Sequence, residues 1–366
     1  MVARSWNGEA AKSFVPRSVC CTNFIDACKY LHHLIPQKML LTITPNPCLE
    51  RIVLLEGFEH GQTQRVDSAR VREVAGGKGL NAARAARACG TPATATGWFG
   101  RDRLSWFAAQ VQASGVEFAP VEVEVSTRIA TQYQAERGQI TQVIEDGHAL
   151  ELGDGTRLLR KAEELLPQSK MMLLGGSYPP AHDERFALHA SLLCGTAKRH
   201  DVPTIYDGKG RAWEIALRKS PPWCAAPNLE EASTLLRRPL NTQAAQRRAI
   251  ETILKWGVEV VLLTCGERGA YLGTSAQTIF LCAPRVQTIS SVGCGDALAG
   301  AFAAKYLQDQ NAPTEFARLN EALRWGIAAG AAQAQSHATG QISLEQIEAL
   351  LPQVRVQQHV LSLTPR

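Results

Sequence analysis

No Cys-x-x-Cys pair occurs in this chain, although it carries 10 cysteines, at 20, 21, 28, 48, 89, 194, 224, 265, 282 and 294. Such scatter offers neither a zinc pattern nor a disulfide framework, so reduced thiols in a cytoplasmic protein are the expectation. Long apolar runs are missing too. Stretches such as 258–263 are strand-sized and fall well short of the ~20 residues that span a membrane. There is no long basic run: 39 basic against 34 acidic residues leave a charge of +5 spread along the chain, which gives no footprint for nucleic acid. Internal repeats and low-complexity linkers are absent. So are two nucleotide signatures, the Walker loop Gly-x-x-x-x-Gly-Lys-Ser/Thr and a Gly-x-Gly-x-x-Gly after the first strand. The second absence argues against a nicotinamide-dependent dehydrogenase.

What remains is an ordinary globular composition, 45% hydrophobic and 20% charged over 366 residues, a length that one α/β core can reach. From residue 39 onward, strand-like segments (39–44, 93–97, 171–175, 203–207, 259–264) alternate with helix-like ones (78–89, 103–113, 182–199, 243–256, 296–308, 318–335). This pattern predicts an α/β fold, a mainly parallel sheet with helices on both faces. Two segments break the alternation. Residues 50–73 read as strands with a turn near His60-Gly61, and 121–146 alternate with period two on both sides of a turn at Arg137-Gly138. A small β lid over the cleft fits these segments, and a plain edge hairpin of the main sheet fits them equally. Residues 1–38 lack the apolar core and cleavage site of a secretory signal. Because Met39 opens the first convincing strand, this leader is read as disordered or as lying outside the native product.

Two glycine clusters carry the chemistry. Downstream, Ser290-Ser291-Val292-Gly293-Cys294-Gly295-Asp296 runs straight into the small-residue stretch 297–304. Backbone N–H groups of a glycine turn that opens a helix suit negative charge, and a carboxylate there can take a proton from a hydroxyl. Taken alone, Asp296 is explained as well by an N-cap. Upstream, Val74-Ala75-Gly76-Gly77-Lys78-Gly79-Leu80-Asn81 enters an alanine-rich helix. The two glycines allow close backbone approach, and Lys78 and Asn81 stand about one turn apart on one side.

Together, and in this order, the clusters resemble the two signatures of the ribokinase-like (PfkB) carbohydrate kinases. Within that family the chain looks most similar to the 1-phosphofructokinase and tagatose-6-phosphate kinase branch. Supporting segments are Thr44-Pro45-Asn46-Pro47, Gly175-Gly176-Ser177-Tyr178-Pro179-Pro180, Ala226-Pro227-Asn228-Leu229-Glu230-Glu231 and Thr264-Cys265-Gly266-Glu267-Arg268-Gly269-Ala270. The resemblance covers roughly residues 39–350. It implies a kinase domain over 39–355 with lid segments at about 48–72 and 121–146, and a tail at 356–366.

By this resemblance Asp296 is the general base, and the amides of Gly293, Cys294 and Gly295 form the anion hole for the transferring phosphoryl group. Asn228 and Glu231 organise a magnesium–phosphate shell through water, while Thr264, Gly266 and Gly269 border the nucleotide. Gly76, Gly77, Lys78 and Asn81 contact the acceptor. Arg65 and Arg128 match basic positions that bind a sugar phosphate. ATP and Mg2+ are the implied cofactors and a small phosphosugar the partner, with neither nucleic acid nor membrane. Family members often dimerise through the lid, so a homodimer of that kind is among the expectations. Four positions depart from the family pattern: Cys294 replaces a small residue, Glu50, the expected substrate-binding residue, stands where the phosphosugar branch has an Asp that contacts acceptor hydroxyls, and Gly208-Lys209 follow Asp207 in place of small hydroxyl residues. The implied activity is ATP-dependent phosphorylation of a phosphohexose hydroxyl, of the fructose 1-phosphate or tagatose 6-phosphate type. The alternatives are a kinase of an unphosphorylated sugar or nucleoside, and a catalytically idle sugar-phosphate sensor.

Overall fold

Alternate residues of a strand face opposite ways, and the apolar strands of this chain bury both sides. The computed structural model describes residues 39–135 and 140–362. The readings placed on 1–38, on the Arg137-Gly138 turn and on 363–366 lie outside the described residues. In chain order the strands are β1 (Met39–Thr44), β2 (Cys48–Leu55), β3 (Val71–Gly76), β4 (Ala93–Gly100), β5 (Glu117–Phe118), β6 (Val121–Val123), β7 (Arg128–Ala135), β8 (Ile140–Ile144), β9 (Ser169–Gly176), β10 (Thr204–Gly208), β11 (Cys224–Ala225), β12 (Val260–Thr264), β13 (Gly269–Thr274), β14 (Gln277–Cys282) and β15 (Arg355–Ser362). The helices are α1 (Lys78–Ala88), α2 (Leu104–Ala113), α3 (Leu152–Leu165), α4 (Leu188–Arg199), α5 (Gly210–Lys219), α6 (Leu229–Leu236), α7 (Gln243–Leu254), α8 (Cys294–Gln308), α9 (Glu315–Ala334) and α10 (Leu344–Leu350).

The large sheet runs β15-β14-β13-β12-β11-β10-β9-β1-β4-β5, with β6 added on β4. From β12 through β4 every neighbouring pair is parallel, and β12 to β15 continue antiparallel. Period-two alternation sorts the strands between two cores. Leu40, Met171, Leu173 and Ile205 join α1, α2, α8, α9 and α10 on one face. Leu41, Ile43, Met172, Leu174 and Tyr206 join α3 to α7 on the other. The expected α/β fold with helices on both faces is the one observed. No helix among the described residues is long and apolar enough to cross a membrane.

The expected small sheet is also present, as a separate four-stranded unit ordered β3-β2-β7-β8. Here β2 pairs antiparallel with β3 and parallel with β7, and β8 returns antiparallel on β7. Three boundaries differ from the sequence reading. Val121–Val123 is not part of this small sheet: it pairs in parallel with Trp98, Phe99 and Gly100 of β4, because Val121 and Val123 turn into the core beside Leu41 and Ile43. The second strand of the 50–73 segment starts only at Val71, after a long connection that ends in a short 3-10 turn at Ser68–Arg70. Most of the tail at 356–366 forms β15, which covers the otherwise open edge of β14.

Candidate active site

Alanine and glycine let two helices lie almost backbone to backbone in the middle of the fold. Gly300 of α8 sits on Ala82 of α1, so close that a Cβ at 300 would overlap the Ala82 carbonyl. This contact aligns the helix mouths and carries Asn81 to Asp296: Asn81 Nδ2 donates to Asp296 Oδ2 at 2.9 Å. Gly293, the N-cap of α8, has φ 78°, a left-handed conformation that favours glycine. The first in-helix bond of α8 runs from Ala297 N–H to Gly293 O at 2.9 Å. The N–H groups of Cys294, Gly295 and Asp296 precede it, and these are the donors a helix leaves for an anion. The two glycine clusters, 215 residues apart at Asn81 and Asp296, therefore meet in one place.

Burial pushes the Asp296 carboxyl above the ordinary carboxylate range, against the pull of Lys78 and the Asn81 bond, and Glu231 adds to the rise. Cys294 does not act as a thiolate there. Its thiol is pushed up to about 12 by burial and by the Asp296 carboxylate, so it stays protonated at neutral pH and fills space.

Lys78 reaches away from Asp296 to a second group of carboxylates. Its Nζ lies 2.6 Å from Asp207 Oδ1, at the end of β10, and 3.0 Å from Glu231 Oε1 on α6. Asn228 and Glu231 form a capping box for α6: Asn228 Oδ1 accepts from Glu231 N–H at 2.8 Å and Glu231 Oε2 from Asn228 N–H at 3.0 Å. One carboxylate oxygen of Glu231 thus caps the helix while the other faces Lys78. Burial disfavours the Lys78 ammonium, yet Asp207, Glu231 and Asp296 outweigh it and hold its pKa above the usual range. Burial, with Glu231 and Asp296, pushes Asp207 up to about 7 in spite of Lys78. Lys78 stays charged in this cluster.

Two carboxylates, Asp207 and Glu231, meet one ammonium and leave a surplus of hard oxygen donors, which suits a hydrated divalent cation. Among the described residues, no three acidic, histidine or cysteine side chains converge closely enough to hold an ion by themselves.

The small sheet covers this floor. Glu50 of β2, opposite Val74 and Ala130, lays its carboxylate over Gly76, in the space a Cβ there would need. Its Oε2 accepts from Thr339 Oγ1 at 2.5 Å. Burial raises its pKa, against the Thr339 bond, and the Asp296 charge raises it further.

Other expected residues scatter more widely. Arg128, at the start of β7, spends Nε and Nη2 on the Asn46 carbonyl (3.2 and 2.9 Å) and Nη1 on the Glu145 carbonyl at 3.0 Å. Arg65 is exposed on the β2–β3 connection and has no hydrogen bond or ion pair among the described residues. Thr264 ends β12 beside Asn228. Gly266 and Gly269 bracket the tight β12–β13 turn, where Cys265 N–H bonds the Gly269 carbonyl at 2.8 Å. Beyond Glu231 an open cleft of about 1060 Å3 is lined by Tyr178, Lys209, Arg211, Trp213, Asn228 and Arg237 among others. Lys209, which departs from the family pattern, stands exposed at the N-cap of α5 on that cleft.

Sequence reasoning missed Asp207, although a carboxylate at the C-terminal end of a buried parallel strand is where open α/β sheets bind ligands. It also missed Thr339, Gln333 and Arg84, for which no local pattern exists.

A profile of the pfkB family carbohydrate kinases matches residues 47–347. Among solved structures, the tetrameric inhibited form of phosphofructokinase-2 from Escherichia coli is 25% identical, with a TM-score of 0.76 over 86% of this chain and 99% of that one. The same enzyme in complex with fructose-6-phosphate is 25% identical, with a TM-score of 0.73 and the same coverage of both chains. Ribokinase from Arabidopsis thaliana, at 21% identity and a TM-score of 0.67 over 86% of this chain and 98% of that one, shares the fold. With the family profile matching most of its length, the chain belongs to the pfkB family of carbohydrate kinases and is a sugar kinase phosphotransferase.

Proposed function

We propose that the chain transfers the γ-phosphoryl group of ATP to a hydroxyl of a phosphohexose, of the fructose 1-phosphate or tagatose 6-phosphate type, with Asp296 as general base. The observation that carries this reading is the placement of Asp296: buried at the mouth of α8, held by Asn81 and adjoining the N–H groups of Cys294 and Gly295. The acceptor oxygen bonds to the γ-phosphorus as the bridging P–O bond to the β-phosphate breaks and ADP leaves, and its proton passes to Asp296. A carboxyl raised by burial accepts that proton more readily than an ordinary one. The amides at the start of α8 face the charge spread over the phosphoryl oxygens. Lys78 ties the acceptor-side helix to Asp207 and Glu231, and the Asn228/Glu231 corner with Thr264, Gly266 and Gly269 borders the nucleotide. Magnesium, when bound, would neutralise phosphate charge, with Asn228 and Glu231 holding its water shell and the Asp207 carboxylate close by. Gly76, Gly77 and Asn81 line the acceptor side under Glu50.

The fructose-6-phosphate complex of the 25% identical phosphofructokinase-2 favours a phosphorylated acceptor. One feature favours the second reading, an unphosphorylated sugar or nucleoside: the Arg128 guanidinium is occupied by the Asn46 and Glu145 carbonyls. A homodimer through the lid belongs to the first reading, and Val143 and Ile144, exposed on its outer strand β8, support it. ADP release with ATP and magnesium should be measured across fructose 1-phosphate, tagatose 6-phosphate, fructose 6-phosphate, fructose, ribose and adenosine. Turnover confined to the phosphohexoses is expected. Turnover of the free sugars or adenosine alone transfers the assignment to the second reading, and no turnover with any acceptor leaves an idle sensor.

A further inference from the structure

Within the connection between α9 and α10, residues 336–340 touch both halves of the cleft. On the lid side it makes three contacts of different kinds. Thr339 Oγ1 donates to Glu50 Oε2 at 2.5 Å. Gln134 of β7 donates through Nε2 to the His337 carbonyl at 3.0 Å and accepts from His337 Nδ1 at 2.9 Å, which fixes the ring proton on Nδ1. Ala338 completes a small buried apolar cluster with Ile52 of β2 and Val74 of β3.

On the body side the loop is held rigidly. Gln333, fully buried on α9, donates to the Ala338 carbonyl at 3.0 Å and accepts from Gly340 N–H at 2.8 Å, so both ends of the tight turn hang on one side chain. Gly340 packs on the buried Arg84 of α1. The Thr339 methyl group lies against Gly293, 2.9 Å from where a Cβ there would stand. One residue, Thr339, therefore contacts the lid carboxylate through its hydroxyl and the phosphoryl-side turn through its methyl.

We propose that loop 336–340 is a latch that holds the lid down on the catalytic turn, with Thr339 as the residue that positions Glu50. This accounts for glutamate at position 50: the additional methylene spans the gap to Thr339, which an aspartate on the same strand would leave open. Glu50 then shapes the acceptor side of the cleft from a fixed place, as part of a closed lid. The kinetic part of this inference rests on the phosphohexose-kinase reading given above; the structural part does not.

The test is amide hydrogen exchange on the full chain, paired with steady-state kinetics, for Thr339→Val, Thr339→Ser and Glu50→Asp. Valine keeps the shape and removes the donor. Its lid amides in β2, β3 and β7 should exchange about tenfold faster, the scale set by a hydrogen bond to a charged group, while β1, β9 and β10 keep wild-type protection. The acceptor KM should rise by a similar factor, with kcat changed much less, and serine should restore both. Wild-type exchange in the lid of Thr339→Val overturns the latch, as does a loss that serine fails to rescue. Where valine also loosens the central sheet, Glu50→Asp decides, since it withdraws the carboxylate from an intact loop: faster lid exchange supports the latch and wild-type exchange overturns it. Exchange needs no acceptor, so a failure to find a turned-over sugar refutes the kinase reading without touching this result.

Discussion

Between α1 and α8 the contact is backbone on backbone, with Gly300 pressed on Ala82 and alanines filling the space on either side. Across the cleft, the lid meets the body through long polar side chains, Glu50 on Thr339, Gln134 on His337 and Arg128 on Asn46, beside one small apolar cluster of Ile52, Val74 and Ala338. The floor is close-packed, so the Asn81–Asp296 pair and the amides at the mouth of α8 have little room to move. The lid has an exposed edge strand and a polar seam. A seam of side-chain hydrogen bonds opens locally at lower free energy than a packed core. On the proposed function, chemistry falls on the close-packed part and acceptor choice on the part held by side-chain hydrogen bonds.

Asp296→Asn attacks the floor most directly. It keeps the shape and the bond to Asn81 but removes the proton acceptor, and kcat should fall by about 10^3-fold with substrate binding nearly intact; ADP release and equilibrium nucleotide binding measure the two. A variant with wild-type turnover would remove Asp296 from the chemistry. Next comes pH. The proposed base has to be ionised to act, so kcat/KM should fall on the acid side as pH drops through the Asp296 pKa, which burial raises above the usual carboxylate range. Lys78 lowers both the Asp296 and the Asp207 pKa. Lys78→Met should therefore carry the acid limb to higher pH, and an unmoved limb would show that the ammonium does not set the charge of this floor.

Stability gives the same contrast at smaller scale. Gly300→Val forces a branched side chain into the α1–α8 contact and should cost about 1–3 kcal/mol or more by overpacking, read from a urea midpoint. Arg51→Ala breaks the exposed lid pair with Glu73, 2.8 Å apart on neighbouring strands, and should change stability by no more than about 1 kcal/mol. Equal losses from the two would mean that the lid is as tightly built as the floor.

How much was legible follows the range of the forces involved. The alanine run of α1 and the apolar strands β1, β9, β10 and β12 announce themselves because periodicity is a local property. Helix α3 escaped notice because Gly153 and Gly155 interrupt its pattern. Gly155 is there for a tertiary reason, since the His189 ring lies where its Cβ would be. The alternation of 121–125 was plain, but which sheet receives Val121–Val123 depends on the open edge of β4, far away in sequence. Asn228 and Glu231 stood out as a motif, yet the motif does not show that Asn228 Oδ1 and one Glu231 oxygen are used to cap α6.

By itself, then, the sequence determined the fold class, the family and the two glycine turns that open α1 and α8, because each depends on residues near one another in the chain. Only the tertiary structure decided that Asn81 holds Asp296, that Lys78 serves Asp207 and Glu231, that Arg128 is occupied by carbonyls, and that Glu50 rests on Thr339 at 289 residues' separation. These are buried polar contacts between distant segments. Their partners are chosen by which backbones the packing of α1 against α8, and of the lid against loop 336–340, brings within hydrogen-bond reach.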